Sequence, residues 1–324
     1  MKKFIIKTLL FASCLFIMDF VCGYFLQTQR LSDYKQFLDS KISFFDFDKD
    51  VDILILGDSH VADAIDTRTL EANLKLTAYN MGVYHASPFE TYFIAKAALA
   101  KQLKKPKLIL LGTNPIMFEK ALSKGKYTPL ILSNNIELSY YSDEGFDASF
   151  FFKSFREKYL FKLFIKKLKG DKYKPTRIVE DVYHGHLKFY NQTPKLVWNK
   201  IPTVHKKSGE NPKQVEYFIK TIKLALENNI PVIIVNPPIW QENLNAIEPS
   251  DSYQKFVATI NESAKKFNLK VYEMNVDCTN STDILILPQK DFLNTQHLNY
   301  LGSKVFTKQF CDYLKKQGYS KSNQ

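Results

Sequence analysis

Gly57-Asp58-Ser59-His60 closes an apolar run, Val51 to Leu56, and puts a serine where the chain leaves a strand and enters a helix. The run alternates too little for a half-exposed strand and reads as one buried on both faces, as in a parallel sheet. After it, Val61 to Leu74 carries Ile65, Leu70 and Leu74 at helical spacing. Ser59 therefore falls just past a strand's carboxyl end, where open α/β sheets hold ligands, beside backbone N–H groups and the positive end of a helix dipole. A serine hydroxyl becomes a nucleophile when a base takes its proton, and imidazole accepts that proton near neutral pH. The competing reading is a helix cap, because Asp58, Ser59 and Asp66 are all capping residue types. His60 adjoins Ser59, but neighbouring side chains at a helix start diverge, so the base is expected elsewhere.

Three further pieces follow in order. Tyr79-Asn80-Met81-Gly82 comes first; a second buried run, Lys107 to Leu111, then ends in Gly112-Thr113-Asn114; Asn294-Thr295-Gln296-His297-Leu298-Asn299 and Gly302 lie far downstream. Together they resemble the SGNH (GDSL-type) hydrolase and acyltransferase superfamily over roughly residues 50 to 315, apart from a divergent middle. The resemblance implies Ser59 as nucleophile, His297 as base, and an oxyanion hole built from the N–H of Ser59, the N–H of Gly82 and the amide of Asn114. Each such donor is typically worth ~3 kcal/mol of barrier. The departure is Asn294, which stands where the family usually has an Asp, three residues before the His. An amide oxygen orients an imidazole but carries no charge to stabilise imidazolium, and in a dependent triad such a change can cost ~10⁴ in turnover. Asp291 is the alternative partner. No cofactor is implied, and no Cys/His spacing suggests a metal; His184-Gly185-His186 reads as a solvated loop.

The elements that must position these residues alternate between strand and helix. A short strand carrying Leu74, Leu76 and Ala78 is expected within Leu70 to Tyr79, a helix at Pro88 to Leu103, a helix at Pro212 to Asn229, a buried strand at Pro231 to Asn236, a helix at Ser252 to Phe267, an edge strand at Leu269 to Met274 and a last helix at Gly302 to Lys316. This rhythm predicts a doubly wound parallel sheet, a three-layer α/β/α architecture of the SGNH or flavodoxin-like kind. Residues 50–318 form that domain, 319–324 a tail, and 140–210 a helical insertion. The insertion carries a basic aromatic helix at 150–169, read as core-packed or as lying on a membrane, and Tyr183 to Trp198 is expected to line the substrate crevice.

Met1-Lys2-Lys3 precedes a mostly apolar stretch, Phe4 to Leu26, interrupted by Lys7 and Asp19. A bilayer-spanning helix needs ~20 residues, so 1–30 is expected to be a transmembrane anchor, 31–49 a linker, and the main domain extracytoplasmic. The chain has 324 residues and a formal net charge of +12, which suits an anionic membrane or acidic glycan; no nucleic-acid recognition motif accompanies it. Cys278 and Cys311 are candidates to pair in an oxidising compartment. Resemblance to envelope members of the superfamily implies an acylated polysaccharide or other envelope ester as substrate and a membrane-bound O-acyltransferase as partner. A fold-only accessory protein that binds glycan or escorts such a transferase is the alternative.

Overall fold

Short runs of Ile, Leu and Val form a sheet because each residue finds a covered face on one side or the other. The computed structural model describes residues 2–28, 32–119, 131, 179–189, 211–247, 250–273 and 287–321. Its strands are β1 (Ile53–Leu56), β2 (Ala78–Asn80), β3 (Leu108–Gly112), β4 (Val179–Tyr183), β5 (His186–Phe189), β6 (Val232–Asn236) and β7 (Lys270–Glu273). Its helices are α1 (Lys2–Thr28), α2 (Ser32–Ile42), α3 (Ser59–Ala64), α4 (Thr67–Leu74), α5 (Pro88–Lys101), α6 (Pro115–Glu119), α7 (Pro212–Glu227), α8 (Gln241–Ile247), α9 (Asp251–Phe267) and α10 (Tyr300–Lys316). Five strands make one sheet in the order β2-β1-β3-β6-β7, with every neighbouring pair parallel. β4 and β5 pair only with each other, antiparallel.

Register assigns the faces. Ile53 stands opposite Leu108, and Leu110 opposite Ile233. These residues pack with Val61, Leu70 and Leu74 of α3 and α4 and with Phe306, Phe310 and Leu314 of α10. The alternate residues Leu54, Leu56, Ile109 and Ile234 are equally buried and point the other way. On that second face Phe89 of α5 meets Tyr217 of α7 at 4.7 Å, and Phe118 of α6 meets Phe218 and Phe256 at 5.3 and 5.7 Å. Two crossovers explain the division. β1 leads through α3 and α4 to β2 on one side, then β2 leads through α5 to β3 on the other; right-handed connections in opposite directions put their helices on opposite faces. The reversal creates a switch point between the carboxyl ends of β1 and β3, the place where such sheets hold ligands.

Several expectations change. The helix read as Val61 to Leu74 is two helices, because the Asp66 carboxylate accepts the Arg68 N–H at 3.1 Å and the Thr69 hydroxyl at 2.6 Å, starting a new helix in mid-run. α5 ends at Lys101, leaving Leu103 fully exposed rather than on the apolar stripe. The expected linker 31–49 is largely α2 and turns, since Phe37, Leu38 and Phe44 are buried core residues. The chain divides into two compact units, one of Gln36–Leu132 with Arg177–Gln324 and one of Met1–Lys35 with Ser133–Thr176. The expectation of a transmembrane helix is not supported: among the described residues no helix is long and apolar enough to cross a membrane, and Lys7 and Asp19 interrupt α1. The basic aromatic segment 150–169 and Cys278 lie outside the described residues. Cys311 is a buried free thiol whose pKa burial pushes up to about 12.

The His184-Gly185-His186 turn is not solvated; of the segment expected to line the crevice, Tyr183 to Trp198, residues 190–198 lie outside the described residues. The His184 carbonyl accepts the Asn80 N–H at 2.9 Å, and Tyr183 Oη donates to Glu71 at 2.7 Å, so β4–β5 seats on the β2 edge against α4. Gly185 has φ +78, and a Cβ there would lie 2.1 Å from the Asn80 carbonyl oxygen, so only glycine allows the approach. Fully buried Lys41 donates from Nζ to the carbonyls of Asn80 and Gly185, both at 2.6 Å. Burial pushes its pKa down to about 7 against the opposing pull of Asp63. His186 is buried beside Asp66 and Ser303, with its pKa held well below the ordinary histidine value chiefly by desolvation. A histidine kept neutral when folded but free to protonate when unfolded costs stability as pH falls below its ordinary value of about 6.5. Chemical denaturation at pH 7 and pH 5 should therefore show wild type losing more stability than His186→Gln, with a slope difference approaching ~1.4 kcal/mol per pH unit.

Candidate active site

The β1–α3 junction is built to present Ser59. Gly57 adopts φ +137, and a Cβ there would meet Val61 Cγ1 at 2.8 Å and the Gly112 carbonyl oxygen at 2.9 Å, so glycine permits both the sharp turn and the close approach of β3. Asp58 caps α3 by accepting the His60 N–H at 2.9 Å. Ser59 is the first residue of that helix and half-buried. The capping expectation thus holds for Asp58, and it is the cap that turns the next side chain towards the crevice.

The partner arrives from 238 positions away. His297 Nε2 lies 2.8 Å from Ser59 Oγ. A tight turn carries it: the Leu293 N–H donates to the His297 carbonyl at 2.7 Å, and Phe292 bridges Leu298. The Thr295 carbonyl at the turn's tip accepts the Trp240 N–H at 3.2 Å and Asn243 Nδ2 at 3.3 Å, tying it to the segment that follows β6. His297 Nδ1 faces Asn294 Oδ1 at 3.0 Å. That oxygen also accepts the backbone N–H groups of Gln296 and His297, at 2.9 and 3.0 Å. Two backbone donors identify the atom as the amide oxygen and stop the amide from flipping. His297 must then carry its proton on Nδ1, leaving the Nε2 lone pair for the serine hydroxyl. Asn294 thereby gives the base the right tautomer; what it lacks is charge. Asp291, the alternative orienter, is buried in the short 3-10 turn Gln289–Asp291, and its carbonyl accepts the Asn299 N–H at 3.0 Å; Nδ1 is taken by Asn294.

The expected oxyanion donors fare differently. The Ser59 N–H sits at the α3 start. The Gly82 N–H is not presented to the crevice: Asn80 Oδ1 accepts it at 3.0 Å. Asn80 also donates from Nδ2 to the carbonyls of Val61, Ala62 and Ile65 at 3.1–3.3 Å, so it holds the 80–82 bend against α3. Gly82 is small there because a Cβ would come within 3.0 Å of the Ala62 nitrogen. Asn114 is buried beside the site; its Nδ2 donates a short hydrogen bond to Asp58 Oδ2, and its Oδ1 accepts the Met117 N–H at 3.2 Å. One amide hydrogen of Asn114 is thus engaged by a carboxylate, and the second is the one available for catalysis.

Two participants went unread in the sequence. Asp58 Oδ2 lies 3.2 Å from His60 Nδ1, and the His60 ring stacks on His297 with centroids 4.6 Å apart and planes at 28°. The argument from diverging neighbours holds for Ser59 and His60 yet says nothing of a third residue packing between them. The only sequence signal was the Asp-x-His spacing at a helix cap.

No family model matches the chain, and no curated protein does. Among solved structures, the crystal structure of the lipase/acylhydrolase from Enterococcus faecalis aligns over 82% of this chain and 95% of that one, at 13% identity and a TM-score of 0.35. A likeness so distant leaves the reading to the site's own geometry. Because Asn294 Oδ1 faces Nδ1 and also accepts two backbone N–H groups of the turn, Asn294→Ala should lower turnover of p-nitrophenyl acetate about 10²–10⁴-fold and lower the melting temperature as well; stopped assays paired with melting curves check both halves.

Proposed function

We propose that this chain is a serine-dependent acyl-transfer enzyme of ester substrates, with Ser59 as nucleophile and His297 as general base. The observation that carries the reading is the 2.8 Å contact between Ser59 Oγ and the proton-accepting Nε2 of His297 at a sheet switch point. Ser59 Oγ attacks the ester carbonyl while its proton passes to Nε2. The tetrahedral oxyanion is met by the Ser59 N–H and by Asn114. His297 returns the proton to the leaving alkoxide, and an acyl-Ser59 ester remains for water or a sugar hydroxyl to take over. Hydrolysis or transfer then depends on which acceptor the crevice admits.

The setting extends the proposal. An extracytoplasmic enzyme attached to the membrane through the α1 segment fits the exposed side chains of Phe4, Leu9, Leu10, Phe11, Phe16 and Ile17 and the three lysines at positions 2, 3 and 7. An acylated envelope polysaccharide as substrate, and a membrane-bound O-acyltransferase as neighbour, suit that position and the net charge of +12. A second reading, a glycan-binding or escort protein on the same fold, is favoured by one observation: Gly82 and one Asn114 hydrogen are engaged within the protein.

Active-site labelling separates the two. A fluorophosphonate should modify wild type and leave Ser59→Ala and His297→Ala unlabelled, with mass spectrometry placing the adduct on the peptide that contains Ser59. Equal behaviour of wild type and Ser59→Ala would leave only the binding protein.

A further inference from the structure

We infer that Asp58 and His60 are positioning residues that supply His297 with the negative charge its partner Asn294 lacks. The inference rests on the acyl-transfer reading above. When Ser59 Oγ forms its bond to the acyl carbon, its proton moves to Nε2 and His297 becomes a cation. At Nδ1 that cation meets the neutral amide of Asn294. Against its face lies the His60 ring, with centroids at 4.6 Å.

His60 is not an isolated imidazole. The Asp58 carboxylate, 3% exposed, faces His60 Nδ1 at 3.2 Å and also accepts the His60 backbone N–H and Asn114 Nδ2. An ionised carboxylate only accepts, so the shared hydrogen sits on His60 Nδ1, and the Asp58 carboxylate stands one ring away from His297. Attraction across that distance is worth far more in a buried site than in water. Neither residue exchanges a proton in the reaction. The leaving alkoxide takes the proton from Nε2 when the C–O bond breaks, and Asp58 and His60 end as they began. The charge that a triad carries at Nδ1 is here delivered through the ring face.

The same carboxylate has a structural role as the α3 cap, so a test must separate charge from shape. Asp58→Asn keeps a capping residue type and removes the charge; His60→Phe keeps a stacked ring and removes Nδ1. In the full chain, each should lower kcat for p-nitrophenyl acetate about 10- to 100-fold at unchanged KM, and Asp58→Asn should also melt lower, because its amide N–H₂ faces donors where the carboxylate only accepts. The deciding arm is rescue. Asn294→Asp places a carboxylate directly on Nδ1, so in that background Asp58→Asn should cost about threefold or less. A loss that persists undiminished in the Asn294→Asp background, or Asp58→Asn turning over like wild type, would overturn the inference while leaving the acyl-transfer reading intact. Should Asp58→Asn fail to fold, His60→Phe is read in the same two backgrounds with the same outcomes. A wild type that neither labels nor turns over removes the acyl-transfer reading and this inference together.

Discussion

The carboxylate of Asp58 holds three segments of chain at one point. It stops β1 and starts α3 by accepting the His60 N–H, it fastens the end of β3 through Asn114, and it grips the His60 ring that lies on His297. Each contact alone is an ordinary helix cap, strand-end tie or ring contact. Their convergence on one buried acid fixes the direction of Ser59 relative to both neighbouring strand ends. An acid so placed is costly to bury unless it is hydrogen-bonded, and His60 N–H, His60 Nδ1 and Asn114 Nδ2 all serve it. The junction is also close-packed, since Gly57 leaves no room for a Cβ between Val61 and the Gly112 carbonyl.

The second half of the site depends on a different constraint, the orientation of a single amide. Replacing a triad carboxylate by an amide ordinarily fails because the amide can turn its N–H₂ towards the imidazole and force the wrong tautomer. Here the turn that carries Asn294 also aims two of its own backbone N–H groups at Oδ1. The backbone thus does what the carboxylate's symmetry does elsewhere, and the base keeps its lone pair on Nε2. The ionic part of the triad is separable from the orienting part, and this fold divides the two between Asn294 and the Asp58–His60 pair.

A third set of contacts supports the loop between β2 and α5. Asn80, Lys41 and the β4–β5 turn share hydrogen bonds around the Asn80 backbone, and Tyr84 of that loop donates to Asp63 at 2.7 Å while stacking on Phe37 of α2. The segment read as a linker and the turn read as a solvated loop are therefore both parts of the wall behind the crevice. Their residue types mislead in a one-dimensional reading, because a Lys or a Gly-flanked His is usually solvated. Burial comes from partners more than a hundred residues away, as with Lys41 and Gly185, which are 144 positions apart.

Sequence by itself determined the central strands and the flanking helices. The runs Ile53 to Leu56, Leu108 to Gly112 and Val232 to Asn236 are legible because a strand covered on both faces must be apolar throughout; α5, α7, α9 and α10 are legible because one-sided burial imposes helical spacing. Ser59, Asn114, Asn294 and His297 stood out through the ordered resemblance to the SGNH superfamily; position alone read Ser59 as readily as a helix cap. What only the tertiary structure decided are the relations between distant groups: that Asn294 rather than Asp291 meets His297, that the Gly82 N–H turns to Asn80, that helix 61–74 breaks at Asp66, and that His60 lies on the face of His297. Periodicity reports which side of an element is buried. It carries no record of which buried polar atom finds which, because those choices are made by close packing between segments the chain brings together only once it has folded.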